Sequence, residues 1–113
     1  MESQLELFSE FMKEEDKFRQ ALPGLMAIQD TIREEVYNDG ALSRKVKRLI
    51  ALGIALRVPC TECIIGQTKL AVEAGATKDE ILETTSVAVA MGGTTGIAES
   101  LRVVKLLEEL GKW

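Results

Sequence analysis

Pro59-Cys60-Thr61-Glu62-Cys63-Ile64-Ile65-Gly66-Gln67 holds both cysteines of the chain, three positions apart, between two long apolar periodic segments. Upstream, Ser43 is positioned as an N-cap, its hydroxyl able to accept from a free backbone N–H. The spacing predicts a helix from about Arg44 to Arg57, with Val46, Leu49, Ile50, Gly53, Ile54 and Leu56 facing inward in part. From Leu49 to Leu56 this segment is apolar nearly all round, the pattern of a helix covered on several sides by its own chain or by a second subunit. Val58-Pro59-Cys60 interrupts it, because proline lacks an N–H and restricts the residue before it. Downstream, Cys63, Ile64, Gln67, Leu70, Ala71 and Ala74 mark a further helix that Gly75 stops. The pair therefore stands at a helix N-terminus.

The same logic organises the flanks. Ser3-Gln4-Leu5-Glu6 reads as a capping box opening a helix to about Gln20, with Leu7, Phe11 and Phe18 on roughly one face. Ala21-Leu22-Pro23-Gly24 breaks it, and a second helix is expected from about Leu25 to Tyr37, with Leu25, Ile28, Ile32 and Val36 on one stripe. Asn38-Asp39-Gly40 supplies a turn. Thr77-Lys78-Asp79-Glu80 is another capping box. The segment behind it is rich in β-branched residues, but the cap and the Glu80/Glu83 pair favour helix over strand. Met91-Gly92-Gly93-Thr94-Thr95-Gly96 lacks the ending of a phosphate-binding loop and follows no strand, so it reads as a bend between closely packed helices. A last helix is expected from about Thr95 to Leu110, amphipathic through Ile97, Leu101, Val104 and Leu107. The fold class is all-α, about six helices in a single domain spanning residues 1–113.

Composition narrows the function. Basic residues number 14 against 18 acidic, a net charge of −4, and the basic run Arg44-Lys45-Val46-Lys47-Arg48 is short, so no nucleic-acid partner is expected. No apolar run approaches the roughly 20 residues that span a bilayer, and the acidic, polar N-terminus is unlike a signal peptide. The expectation is a cytoplasmic protein with no membrane contact. Histidine is absent, which removes Ser-His-Asp and Cys-His catalysis. Cys60, Cys63 and carboxylates fall short of the usual zinc ligands, although four thiolates shared by two subunits would suffice. Neither a metal nor a cofactor is expected.

In a reducing compartment a Cys-x-x-Cys pair is rarely a structural disulfide. At a helix start, unpaired N–H groups and the partial positive charge favour thiolate over thiol, and Cys63 lies about one turn in. Cys60 is near enough to close a disulfide with it. One sulfur attacking and the other resolving is the minimum for two-electron thiol chemistry. Buried packing of two inert cysteines is the alternative.

Four stretches together carry a resemblance. They are Leu42-Ser-Arg-Lys-Val-Lys-Arg-Leu-Ile-Ala-Leu-Gly-Ile-Ala-Leu56, Cys60-Thr-Glu-Cys63, Ala74-Gly-Ala-Thr-Lys-Asp-Glu-Ile81 and Met91-Gly-Gly93. In order and spacing they resemble the carboxymuconolactone decarboxylase / alkylhydroperoxidase AhpD-like family over roughly residues 36–110. The resemblance implies an AhpD-like helical bundle that assembles into trimers or hexamers, and peroxide reduction by the Cys-x-x-Cys pair, with Cys63 peroxidatic and Cys60 its resolving partner. It also implies a proton relay from a Glu twelve residues before the first cysteine and a His four after the second. Those positions are Arg48 and Gln67 here. Gln67 can orient a water or donate a hydrogen bond but cannot shuttle a proton. Arg48, if aimed at the pair, would stabilise a thiolate without removing its proton; otherwise it extends the basic run into solvent. Glu62, Glu83 and Glu99 are candidate replacement carboxylates, Glu62 being nearest in sequence and also a plausible helix-dipole partner.

The expected function is therefore a thiol-dependent antioxidant oxidoreductase, a peroxidase or disulfide reductase acting on a small peroxide or disulfide with an unidentified thiol electron donor. The alternative is a non-enzymatic or redox-sensing oligomeric module. Lactone decarboxylation is less favoured, since the sequence has no histidine and no evident arginine cluster at the site.

Overall fold

The computed structural model describes residues Met1–Trp113 and is built from six helices: α1 (Gln4–Ala21), α2 (Pro23–Val36), α3 (Arg44–Arg57), α4 (Thr61–Glu73), α5 (Lys78–Gly92) and α6 (Thr94–Glu109). It contains no strand. α3 packs on α4 and α5, and α5 on α6, while α1 lies across α4 and α6. Leu52, Ala55 and Leu56 of α3, Ile64 of α4, Ile81 and Ala88 of α5, and Val103 and Leu107 of α6 form the core.

Most helix starts follow from local chemistry. The Ser43 hydroxyl accepts from the Val46 N–H, and at Thr77 both halves of the capping box are made. The box at Ser3 is only half made. Its hydroxyl accepts from the Glu6 N–H but donates to the Glu109 carboxylate, which also takes the Gln4 N–H at 2.7 Å. A residue from the far end of the chain thus takes the Ser3 hydroxyl and the Gln4 N–H, while Glu6 makes no return bond to Ser3. The strand alternative for α5 does not arise, and its hydroxyls explain how a β-branched stretch stays helical. Thr84, Thr85 and Ser86 donate back to the carbonyls of Glu80, Leu82 and Glu83.

Pro23 does not sit in a linker, as expected, but opens α2 directly, with only Leu22 separating it from α1. Its missing N–H costs nothing in a first turn. The glycine-rich bend is also tighter than its sequence suggests. Gly92 stays helical, and Gly93 alone turns the chain, at φ 57° and ψ −130°, where a side chain would be strained. Three residues on, Gly96 lets α6 lie against α5, since a Cβ there would stand 2.6 Å from the Ala88 carbonyl oxygen.

The inward face assigned to α3 is the main correction. Leu56 is buried as expected and Leu49 packs against the core, but Leu52 and Ala55 are the other buried residues, whereas Val46, Ile50 and Ile54 are exposed. Leu25, Ile28, Ile32 and Val36 likewise form an uncovered stripe on α2, which contributes only Met26 to the buried set. An Arg19–Asp30 pair, 2.6 Å at its shorter contact, ties α2 to α1. No helix is long and apolar enough to cross a membrane.

Candidate functional site

Cys60 is the N-cap of α4 and Cys63 its third helical residue, so the two sulfurs meet across one turn. The loop before them is short and anchored. The Cys60 N–H donates to Ala55 O at the end of α3, and Cys60 O takes the Ile64 N–H at 2.8 Å. The two cysteines are joined as a disulfide, with their Cα atoms 5.1 Å apart. The Cys63 N–H points at the Cys60 sulfur, 3.2 Å away. A serine or aspartate oxygen normally fills this place; here the helix start receives a sulfur. Cys60 is half-buried and Cys63 is exposed. The packed-cysteine alternative does not describe this geometry.

Arg48 neither follows the basic run into solvent nor touches a sulfur. Its guanidinium lies flat over the Tyr37 ring, 3.4 Å from the centroid, and Nη1 donates to Gln67 Oε1 at 3.2 Å. The positions at which the resemblance implies Glu and His are therefore in contact, joined by a hydrogen bond. Gln67 follows Cys63 by one turn, which places the two side chains about 6 Å apart on one face. With Oε1 held by Arg48, the Gln67 amide presents its Nε2 donor. Burial holds the Arg48 guanidinium below its ordinary value; Tyr37 acts in the opposite sense, and Arg44 and Arg33 add to the lowering.

Glu62 faces a cavity of about 390 Å³ shared with Phe11, Glu14, Glu15, Phe18 and Met26. Burial there, reinforced by the charge of Glu15 and opposed by Arg33, pushes its carboxyl up from the ordinary value. It makes no hydrogen bond to either sulfur. Of the other two carboxylates, Glu99 is 3.7 Å from Arg102, and Glu83 is exposed on α5 with no contact to the pair.

Sequence reasoning missed an arginine cluster. Arg33 from α2 and Arg44 and Arg48 from α3 line one cavity of about 300 Å³ with Glu34, Tyr37, Leu70, Glu73 and Ala74. The i, i+4 pair of Arg44 and Arg48 was readable on one helix face. Arg33 joins them because the Asn38–Ser43 turn brings the C-terminal end of α2 to the start of α3, where Lys47 Nζ donates to Val36 O and Asn38 O. A larger groove, about 560 Å³, runs between α3 and α5 and is lined by Val46, Ile50, Ile54, Val87 and Met91 among others; it holds none of the site residues.

The chain matches the model of the carboxymuconolactone decarboxylase family over residues 23–106, and it belongs to that family. Among solved structures it is similar to a family protein of Legionella pneumophila, with a TM-score of 0.91 and 30% identity, covering 99% of this chain and 100% of the other. It is also similar to a Thermotoga maritima family protein for which involvement in an antioxidative response has been suggested, with a TM-score of 0.78 and 27% identity over 90% of each chain. An uncharacterized protein encoded in the cox locus of Paracoccus denitrificans is 36% identical over 75 residues, covering 66% of this chain and 68% of that protein.

Proposed function

We propose that this member of the carboxymuconolactone decarboxylase family is a thiol-dependent antioxidant oxidoreductase, reducing a peroxide or a disulfide through Cys60 and Cys63. The observation that carries the reading is the pair itself: a disulfide across the first turn of α4, one sulfur capped by a backbone N–H and the other exposed. In the reduced protein, Cys63 attacks the distal oxygen of a hydroperoxide. The O–O bond breaks, an alcohol leaves with one proton, and Cys63 becomes a sulfenic acid. Cys60 then displaces water from it and closes the disulfide. A dithiol donor reopens that bond by attacking the exposed Cys63 sulfur, and Cys60 departs as a thiolate held by the helix N-terminus.

The reading includes self-association. The uncovered stripes of α2, α3, α5 and α6 comprise Leu25, Ile28, Ile32, Val36, Val46, Ile50, Ile54, Val87, Met91, Ile97 and Leu101, exposed apolar side chains that favour self-association. A trimer or hexamer would cover it.

The test is consumption of cumene hydroperoxide with dithiothreitol as reductant, comparing the wild type with Cys63→Ser. Turnover no higher than that of the variant would remove the peroxidase reading. A disulfide that still opens and closes reversibly would leave the reductase. A redox-sensing module is the second reading, favoured by the Arg48–Gln67 bond, which occupies both relay positions without a base. It predicts a single stoichiometric oxidation and no turnover with any donor.

A further inference from the structure

The lining of the cavity beside Gln67 carries more positive than negative charge. Three guanidinium groups line it against two carboxylates, Glu34 and Glu73, which leaves one positive charge over. Arg19 and Arg102 form ion pairs elsewhere, but Arg33, Arg44 and Arg48 form none. Few of their donors are used within the protein. Arg44 Nε donates to Tyr37 O and Arg48 Nη1 to Gln67, while the Arg33 side chain makes no hydrogen bond. Each guanidinium carries five N–H donors in a planar fork that matches a carboxylate. The mutual repulsion of the three, which contributes to lowering the Arg48 value, is what an incoming anion would relieve.

The cavity is also aligned with the thiols. Cys63, Gln67, Leu70 and Ala74 recur at spacings of four, three and four along α4, a single stripe. Leu70 and Ala74 form part of the cavity wall. At 1.5 Å per residue, Leu70 stands about 10 Å beyond Cys63 along the helix axis.

We propose that the cavity of Arg33, Tyr37, Arg44 and Arg48 binds the carboxylate of the substrate, so that the thiol pair acts on carboxylate-bearing hydroperoxides or disulfides whose reactive bond lies about 10 Å from the anionic group. The proposal rests on the redox reading of Cys60 and Cys63 and supplies its substrate class. A single unbalanced positive charge suits a monoanion better than a phosphate dianion. Hydrogen peroxide, which has no such group, would be a poor substrate.

Binding and turnover test it separately. Isothermal titration of the oxidised protein with octanoate should show salt-sensitive binding. Arg33→Gln should weaken that binding by about tenfold or more, the usual effect of losing a charge-assisted hydrogen bond. Arg33→Lys should recover part of it. Since the Arg33 side chain bonds nothing in the protein, this variant leaves the cavity wall in place. In turnover, the preference for a fatty-acid hydroperoxide over its methyl ester should fall in Arg33→Gln. Absence of octanoate binding, equal affinity in wild type and Arg33→Gln, equal affinity for 1-octanol, or tighter binding of inorganic phosphate would each overturn the assignment. Arginine-dependent octanoate binding without turnover of any hydroperoxide or disulfide would keep the carboxylate site and discard the redox reading. Turnover indifferent to both carboxylate and Arg33 would do the reverse.

Discussion

Restoring a proton relay is the most direct probe of what the site lacks. Gln67 follows Cys63 by one turn, about 6 Å between side-chain origins, and so stands where an imidazole could reach a reacting oxygen through one water. Proton transfer by a positioned side chain contributes about 10²–10⁴-fold to rate. Gln67→His alone should fall short of that range. Arg48 donates to residue 67 from 3.2 Å, and a cation at that distance keeps an imidazole neutral and withholds its acid form. Such a histidine could accept the thiol proton but not return one to the departing alkoxide, so the expected gain is about tenfold. Replacing Arg48 with Glu reverses the sign of the neighbour. The carboxylate orients the ring and stabilises its protonated form, and Arg48→Glu/Gln67→His should gain about a hundredfold, close to 2.7 kcal/mol of barrier. The assay is stopped-flow oxidation of the reduced protein by cumene hydroperoxide, read as kcat/KM from pH 5 to 9. The double variant should also acquire a bell-shaped profile. If it reacts within twofold of the wild type while its disulfide still closes, protonation is not what limits this site.

Three further outcomes follow from the packing. Gly96→Ala forces a methyl group to within 2.6 Å of Ala88 O and 2.8 Å of Val89 Cα, both backbone, so α5 and α6 must part; about 3 kcal/mol and a melting temperature lower by about 10 °C are expected, and an unchanged melt would contradict the close approach. For Glu109, burial opposes ionisation, but hydrogen bonds from the Ser3 hydroxyl and the Gln4 and Leu5 N–H groups prevail and hold its carboxyl below the ordinary value. Its contribution is therefore present above the unfolded value near ~4.3 and lost as pH falls through the folded one, so Glu109→Gln should melt lower than wild type at pH 7 and converge with it in acid. Ile50→Glu places a charge on the exposed apolar face of α3 and, under the proposed self-association, should shift the protein to smaller species in sedimentation; an unchanged distribution would remove that face from the proposal.

Local chemistry made most of the fold legible. Ser43 and Thr77 cap the helices they were expected to cap, and Pro59 ends the segment before the cysteines. What stayed hidden depends on residues far apart in the chain. No pattern around Ser3 announces that Glu109 takes its hydroxyl, because that contact exists only once α6 returns beside α1. On α3 a segment apolar nearly all round carries little periodicity to choose a face, so Leu56 is buried as expected while Leu52 turns inward in place of Ile50. At the site, the spacing of Cys60 and Cys63 and the start of α4 were readable. The Arg48–Gln67 contact required the packing of α3 on α4, and the convergence of Arg33 required the turn that brings the end of α2 to the start of α3.

Within the proposed redox reading, the same geometry bears on which half of thiol chemistry the pair would perform more readily. Reduction of a hydroperoxide expels an oxygen leaving group, which must be protonated as the O–O bond breaks, and Gln67 and Arg48 offer no proton that can be exchanged near pH 7. Only Glu62 remains for that task, and it faces the cavity of Phe11 and Phe18 without a hydrogen bond to either sulfur. Thiol–disulfide exchange makes no such demand, because the departing group is a thiolate whose conjugate acid titrates near ~8.5. Here the departing sulfur is that of Cys60, already receiving the Cys63 N–H at the start of α4. Exchange at Cys63 therefore uses what the fold supplies, an exposed sulfur to attack and a stabilised one to release. Peroxide reduction must instead work around a missing proton, and a carboxylate held in the arginine cavity would compensate by positioning.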